Sequence, residues 1–281
     1  MNFTTRFAPS PTGPLHLGHA YSALRAFDLA QANGGNFLLR IEDIDQSRVR
    51  AQWEEQIYDD LRWLGLRWPE PVMHQSDRLE AYEAVLDDLW ARGLLYPCTC
   101  RRSDIAAAVS APQEGVPSFG PDGLIYPGTC RTAPRIGPRP KYVALRLDMN
   151  KAVAEMGKQH FSETGTKAGE ISIHPQKLPT EVGDIVLARR DMGTSYHLSV
   201  VVDDAAQFIT HIVRGEDLFE ATQIHVILQR LLNVPTPVYH HHPLVRDDQG
   251  KRLAKRDDAR AISLYRAEGC SPQTIRAMVD L

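Results

Sequence analysis

Two stretches far apart in the chain carry the residue types that handle phosphate. The first, Pro9-Ser10-Pro11-Thr12-Gly13-Pro14-Leu15-His16-Leu17-Gly18-His19, reads as a turn running into a helix. A helix N-terminus offers unpaired N–H groups and a partial positive charge, so anions settle there. His16 and His19 stand three apart and share a face of that first turn. Gly18 lets a ligand approach the backbone closely. The second stretch, Gly250-Lys251-Arg252-Leu253-Ala254-Lys255-Arg256-Asp257, sets four basic residues in six behind a glycine. Such a turn can clamp a polyphosphate and follow its charge during reaction. Taken singly, each stretch also reads more plainly, as packed surface histidines and as a solvated basic loop. A third cluster is Cys98-Thr99-Cys100 with Cys130. Three thiols suit zinc, which takes four ligands, usually Cys or His. Spacing leaves His160 open as the fourth, and leaves open a reduced or disulfide-bonded set. His240-His241-His242 is less suited to one ion, because side chains alternate along an extended segment.

The elements that must position these residues follow from hydrophobic spacing. TTRFAPSP reads as a short strand, Leu15 to about Ala32 as a helix stopped by Asn33-Gly34-Gly35, and NFLLRIED as a strand with an acidic end. Strand, helix and strand in the first 45 residues make a βαβ unit. Gln46 to about Leu64 and roughly Ser76 to Leu94 carry helical spacing. From Tyr96 the chain becomes rich in Cys, Pro and Gly, KYVALRLD reads as a strand, and 150–180 are polar and weakly periodic. Residues 97–183 therefore read as an insertion between two halves of a sheet domain, 1–96 and 184–250. Residues 251–281 remain as the basic loop and a short helical segment. GDIVLARR, SYHLSVVVDD and FITHIVRGEDL read as three strands, and ATQIHVILQRLLN as a helix.

The 281 residues carry 32 Lys and Arg against 35 Asp and Glu, a formal charge of −3, and are 43% hydrophobic. That supports one large domain or two smaller ones with real cores and excludes disorder as the main state. No apolar run has the length of a membrane helix, and the N-terminus lacks the pattern of a signal peptide. Four Cys do not make a secreted disulfide scaffold, so the cytoplasm is the expected compartment. The charge balance neither advertises nor excludes nucleic acid. Arg101, Arg102, Arg189 and Arg190 are candidate RNA contacts, although exposed basic pairs are usually only solvated.

Together the two phosphate stretches resemble the signature motifs of class I aminoacyl-tRNA synthetases. The "HIGH" motif stands as His16-Leu17-Gly18-His19, and "KMSKS" as Arg252-Leu253-Ala254-Lys255-Arg256. Four further motifs resemble the glutamyl branch: Arg6-Phe7-Ala8-Pro9-Ser10-Pro11-Thr12-Gly13, Leu39-Arg40-Ile41-Glu42-Asp43-Ile44-Asp45, Val200-Val201-Val202-Asp203-Asp204 and Val213-Arg214-Gly215-Glu216-Asp217. The resemblance runs from residue 3 to about 265. It implies an α/β fold, a Rossmann-like parallel sheet with an inserted zinc-containing subdomain. Only 25 residues follow Arg256. That short form resembles the truncated, queuosine-modifying branch, which has no anticodon-binding domain. Such enzymes activate L-glutamate with ATP without needing tRNA and attach it to queuosine at the wobble position of tRNA(Asp). The branch also implies a monomer. Charging of a tRNA 3′ end, a silent paralogue and a small-molecule adenylating ligase are the alternatives.

By this resemblance His16, Gly18, His19 and Lys255 hold ATP, with His16, His19 and Lys255 catalytic and Mg²⁺ accompanying the nucleotide. Arg6, Ser10, Glu42, Tyr196 and Arg214 hold glutamate. Guanidinium forks suit its carboxylates, and Glu42 suits its ammonium. Tyr126 stands where the family places a fourth, tyrosine, ligand beside Cys98, Cys100 and Cys130 around one structural zinc ion. Ala254 in place of the motif's serine, and Arg252 in place of its first lysine, imply weaker rather than absent activation.

Overall fold

The structure, a computed structural model, describes residues 2–109, 119–154, 156–246 and 260–281. The chain enters through β1 (Thr4–Phe7), crosses by α1 (Leu17–Ala32) to β2 (Asn36–Ile41), and continues by α2 (Ala51–Trp63) to β3 (Met73–His74). β2 pairs in parallel with β1 and with β3. α1 forms because Ala20, Ala23, Leu24 and Ala30 present one small, buried face to the sheet. It ends at Asn33, followed by Gly34 at φ +60°, a conformation in which glycine carries no Cβ penalty.

Next come α3 (Leu79–Ala91), β4 (Leu95–Cys98), α4 (Arg102–Val109), β5 (Phe119–Gly120), β6 (Gly123–Leu124), β7 (Ala144–Leu147) and α5 (Met149–Val153). β8 (Gln159–Glu163), β9 (Gly169–Ile173), α6 (Leu178–Glu181) and β10 (Val186–Ala188) follow. β7 lies antiparallel between β4 and β10. β8 and β9 form a hairpin whose first strand pairs in parallel with a later strand, through Tyr239 and Glu163. Residues 159–173, polar and weakly periodic in sequence, thus extend a sheet built mainly from the second half of the chain.

That half runs through α7 (Tyr196–Ala206), β11 (His211–Gly215), α8 (Thr222–Leu231) and β12 (Val238–His242), with β11 and β12 parallel. α9 (Ile262–Ala267) and α10 (Pro272–Met278) close the chain and bury Ile262 and Ile275 in one core with Leu24, Ile41 and Leu61. The segment SYHLSVVVDD, expected as a strand, is the helix α7. Its β-branched run imitates a buried strand, but seven of its eleven residues are buried all round the helix and Ser195 caps its start. A short buried run cannot be assigned by periodicity, and here packing overrides β-propensity.

Thr210 N–H donates to the Thr4 carbonyl at 3.0 Å, which sets the start of β11 beside β1. From that junction α1 leads one way to β2 and α8 the other way to β12. In open α/β sheets ligands bind beyond the carboxyl ends of the strands at such a reversal. Among the described residues no helix is long and apolar enough to cross a membrane.

Candidate active site

A cavity of about 520 Å³ opens at this reversal. Arg6 and Glu42 reach it from the ends of β1 and β2, Arg214 from β11, and Tyr196 from the first turn of α7; His16, Gly18 and His19 line it from the N-terminus of α1. Seven of the residues expected from sequence therefore meet in one space. Ser10 lines an adjoining cavity of about 640 Å³, which shares Glu42 and Tyr196 with the first. Lys255 and the rest of its motif lie outside the described residues.

His16 is the N-cap of α1. Its Nδ1 accepts from Gly18 N–H at 3.1 Å, and the His19 Nδ1 accepts from His16 N–H at 3.2 Å. The rings stack with centroids 3.7 Å apart. With both Nδ1 atoms accepting, the proton of each neutral imidazole sits on Nε2. The helix start thus carries two imidazole N–H donors as well as its backbone dipole.

Beneath the cavity lies a buried ion cluster. Asp204 accepts from Arg6 Nε at 3.0 Å and Nη2 at 3.3 Å, and from Arg40 Nη1 at 2.7 Å. Arg40 Nη2 donates to Glu42 at 3.2 Å. Burial pushes the Asp204 carboxyl up, but Arg6 and Arg40 outweigh it and hold the group below the usual carboxylate range. For Glu42 the order reverses: burial raises it against the pull of Arg40 and Arg6.

Arg214 is held as tightly, without a carboxylate in contact among the described residues. Its Nε donates to His241 Nε2 at 3.0 Å and its Nη1 to His225 Nδ1 at 3.0 Å; its Nη2 donates to Thr222 Oγ1 at 2.7 Å and Leu218 O at 3.2 Å. His241 in turn holds Glu163 through Nδ1 at 2.5 Å. A Cβ on Gly165 would collide with the His241 carbonyl, so the turn after β8 can press Glu163 against β12. None of Asp204, Arg40, His225, His241 and Glu163 was singled out from sequence as a site residue. Asp204 and Arg40 stand inside quoted motifs; for Glu163 no local signal exists.

Burial, together with the nearby Arg214 cation for His225 and His241, holds those two imidazoles below their ordinary value. Burial does the same for His211, His240 and His242. These groups bind fewer protons folded than unfolded, so their contribution to stability is lost as pH falls below about 6.5. His74 is shifted the other way, and burial pushes the Asp60 carboxyl up to about 6, so these two begin to oppose the five imidazoles as pH nears 6. Unfolding free energy measured in urea should therefore fall between pH 7 and pH 6; a flat or rising profile would contradict this assignment.

The three cysteines also converge. Cys98, Cys100 and Cys130 place their sulfurs within 4.8 Å of one another. The Tyr126 hydroxyl lies 3.5 Å from the Cys98 Sγ and 3.3 Å from the Cys100 Sγ, and accepts from Cys130 N–H at 2.8 Å. Arg146 donates to the Cys98 Sγ at 3.3 Å and lies over the Tyr126 ring. Burial opposes thiolate formation at Cys130, but hydrogen bonds, from Tyr126 foremost, bring it down to about 6. His160 lies on β8, exposed and facing Glu170, apart from this cluster.

Within β12 the three histidines divide as alternation requires. His240 meets Thr164, buried His241 meets Arg214, and His242 lines the cavity. Arg102 and Arg189 line the second cavity, whereas Arg101 and Arg190 are exposed outside it.

Residues 2–281 match the family described as tRNA synthetases class I (E and Q), catalytic domain. The chain belongs to that family. It is 63% identical over 280 residues to the glutamyl-Q tRNA(Asp) synthetase of Rhodobacter capsulatus, covering 99% of each chain. The enzyme of the same name from Geobacter sulfurreducens is 40% identical over 93% of this chain and 78% of its own length. The glutamate tRNA ligase of Elizabethkingia meningosepticum shares the class I fold, with a TM-score of 0.73 at 24% identity. The match covers 97% of this chain and 59% of that ligase.

Proposed function

We propose that the chain is a ligase that activates L-glutamate with ATP, without tRNA, and transfers it to queuosine in the anticodon of tRNA(Asp). The observation that carries the glutamate half is the cavity itself, where Arg6, Arg214, Tyr196 and Glu42 converge beside the N-terminus of α1. The acceptor half is supported by the relatives that share up to 63% identity and bear that name.

A guanidinium has five N–H groups. Among the described residues Arg6 donates two of them to Asp204, which leaves a fork for a carboxylate. Arg214 donates four to its surroundings, which leaves one aimed donor. The α-carboxylate of glutamate must stay nucleophilic, so this pair suits the side-chain carboxylate, with Tyr196 as a third donor and Glu42 holding the ammonium. Ser10, on the adjoining cavity, contacts the same amino acid from its other end.

The α-carboxylate then attacks the α-phosphorus of ATP and pyrophosphate leaves. The nucleophile is already an anion, so no general base is required and catalysis is positioning plus charge stabilisation. His16 and His19 donate from Nε2 to phosphate oxygens, Gly18 leaves room for the phosphates to approach the helix start closely, and Lys255 neutralises the leaving pyrophosphate. Mg²⁺ carried with ATP would share that charge. A hydroxyl of the acceptor next attacks the anhydride carbonyl and releases AMP.

Cys98, Cys100, Cys130 and Tyr126 would hold one structural zinc ion. Three sulfurs and one oxygen around a single point fit a closed tetrahedral site, and the Arg146 cation balances the excess negative charge of three thiolates. The ion would pin the loop between the cysteines to β4. Purified protein should carry about one zinc per chain by elemental analysis. Cys100→Ser should lose it, with a lower melting temperature, while a wild-type chain purified without zinc would count against the site.

The deciding experiment is ATP–pyrophosphate exchange with each amino acid, with and without tRNA. Exchange with glutamate alone, followed by transfer only to queuosine-containing tRNA(Asp), is the expected result. Exchange that requires tRNA would indicate charging of a 3′ end. ATP binding without exchange would indicate a silent paralogue.

A further inference from the structure

A polar chain starts at Arg214 and runs outward. The His225 Nδ1 lies 3.0 Å from the Arg214 Nη1, the His225 Nε2 lies 3.1 Å from the His197 Nδ1, and the His197 Nε2 lies 3.1 Å from the Asp122 Oδ1. We propose that Asp122, His197 and His225 form a hydrogen-bond relay that aims Arg214 at the glutamate side chain and latches the β5–β6 turn beside the site. The proposal rests on the glutamate-activating reading.

The chemistry at its two ends fixes the relay's direction. A guanidinium can only donate, and an ionised carboxylate can only accept. The His225 Nδ1 must therefore accept, and its Nε2 proton must point at His197. The His197 Nδ1 accepts that bond, so its own proton sits on Nε2 and points at Asp122. The other arm runs with the opposite tautomer: the His241 Nε2 accepts from Arg214, so its proton sits on Nδ1, facing Glu163. Arg214 thus lies between two neutral imidazoles, each tied to a carboxylate on a different element.

Neutral acceptors orient the guanidinium without neutralising it. A carboxylate in the same place would compete with the substrate's own. His225 is 1% exposed and His197 7%, so water does not replace a lost link cheaply. Asp122 stands at the turn between β5 and β6, and both Asp122 and His197 line the second cavity together with Tyr196. His225 and His197 are positioning residues, acting through Arg214.

The test has two arms. In the first, KM for glutamate and for ATP is measured by pyrophosphate exchange. His225→Phe should raise KM for glutamate about tenfold, the effect of one charge-assisted hydrogen bond, with KM for ATP unchanged. His197→Phe should raise it less. His197→Asn keeps an acceptor for His225 but loses Asp122, and should match Asp122→Ala at about twofold to threefold, by the weaker bond removed. A folded His225→Phe variant with unchanged KM for glutamate, or a parallel rise for both substrates, overturns the proposal. In the second arm, nitrogen-15 NMR of the wild-type chain should show the proton on Nε2 in His197 and His225 and on Nδ1 in His241. A proton on Nδ1 of His225 or His197 overturns the relay whatever the kinetics. Wild-type protein without glutamate-dependent exchange would instead remove the reading beneath it, leaving the NMR result to judge the relay as structure.

Discussion

Asp204→Ala is expected to destabilise the fold by about 3–5 kcal/mol, the usual cost of removing one partner from a buried ion cluster. The carboxylate sits between two guanidinium groups, Arg6 and Arg40, 5% and 0% exposed. Without it Arg40 retains Glu42 and Gln207 as partners, and its Nε already lacks one among the described residues. Neither cation can move to water without unpacking β1 or β2. A fall in melting temperature of about 10 °C should follow for a chain this size, read by circular dichroism. Asp204→Asn keeps an acceptor but not the charge, and should fall between the variant and wild type. The same substitution loosens Arg6, so any surviving protein should bind glutamate poorly. A melting temperature within about 2 °C of wild type would mean that Asp204 is no hub, since the expected loss should move it several degrees.

The contrast between such hubs and the residues they hold explains what was readable in the sequence. His16, Gly18 and His19 were legible because a helix start is a local event, marked by nearby Pro and Gly, whereas Arg6, Glu42 and Arg214 came through the resemblance of the motifs that contain them. Their supports lie 164 and 198 residues away for Arg40 and Arg6, and 78 residues apart for His241 and Glu163. No local pattern encodes such distances. Asp204 stood within a quoted motif, yet its role depended on α7 being a helix, and Val200-Val201-Val202 concealed that. On a strand, Asp203 and Asp204 would face opposite sides. On the helix, Asp203 takes Gln75, Arg78 and Tyr82 while Asp204 takes the two site arginines. Likewise β8 gave little strand signal, because of its two buried residues only Phe161 is apolar, and the other, Glu163, is a buried charge satisfied by β12.

Arg214→Ala should lower kcat/KM for glutamate about 10²–10³-fold, a loss of roughly 3–4 kcal/mol from charge-assisted bonds to a desolvated carboxylate. The protein should nevertheless fold. Removing Arg214 leaves behind neutral His225 and His241 and a threonine hydroxyl, not an orphaned ion, and both imidazoles keep their outer partners His197 and Glu163. Arg214→Lys should be nearly as damaging. One ammonium cannot reach His241, His225, Thr222 and the Leu218 carbonyl at once and still face the cavity. Steady-state exchange separates the effects: KM for glutamate should rise steeply while KM for ATP changes little, because His16, His19 and the N-terminus of α1 do not touch Arg214 in the hydrogen-bond network. Glutamine, which has no side-chain charge to lose, should suffer a much smaller penalty, so the variant should discriminate poorly between the two amino acids. If it rejects glutamine as well as wild type does, selectivity resides in Arg6 and Tyr196, and Arg214 is only part of the wall.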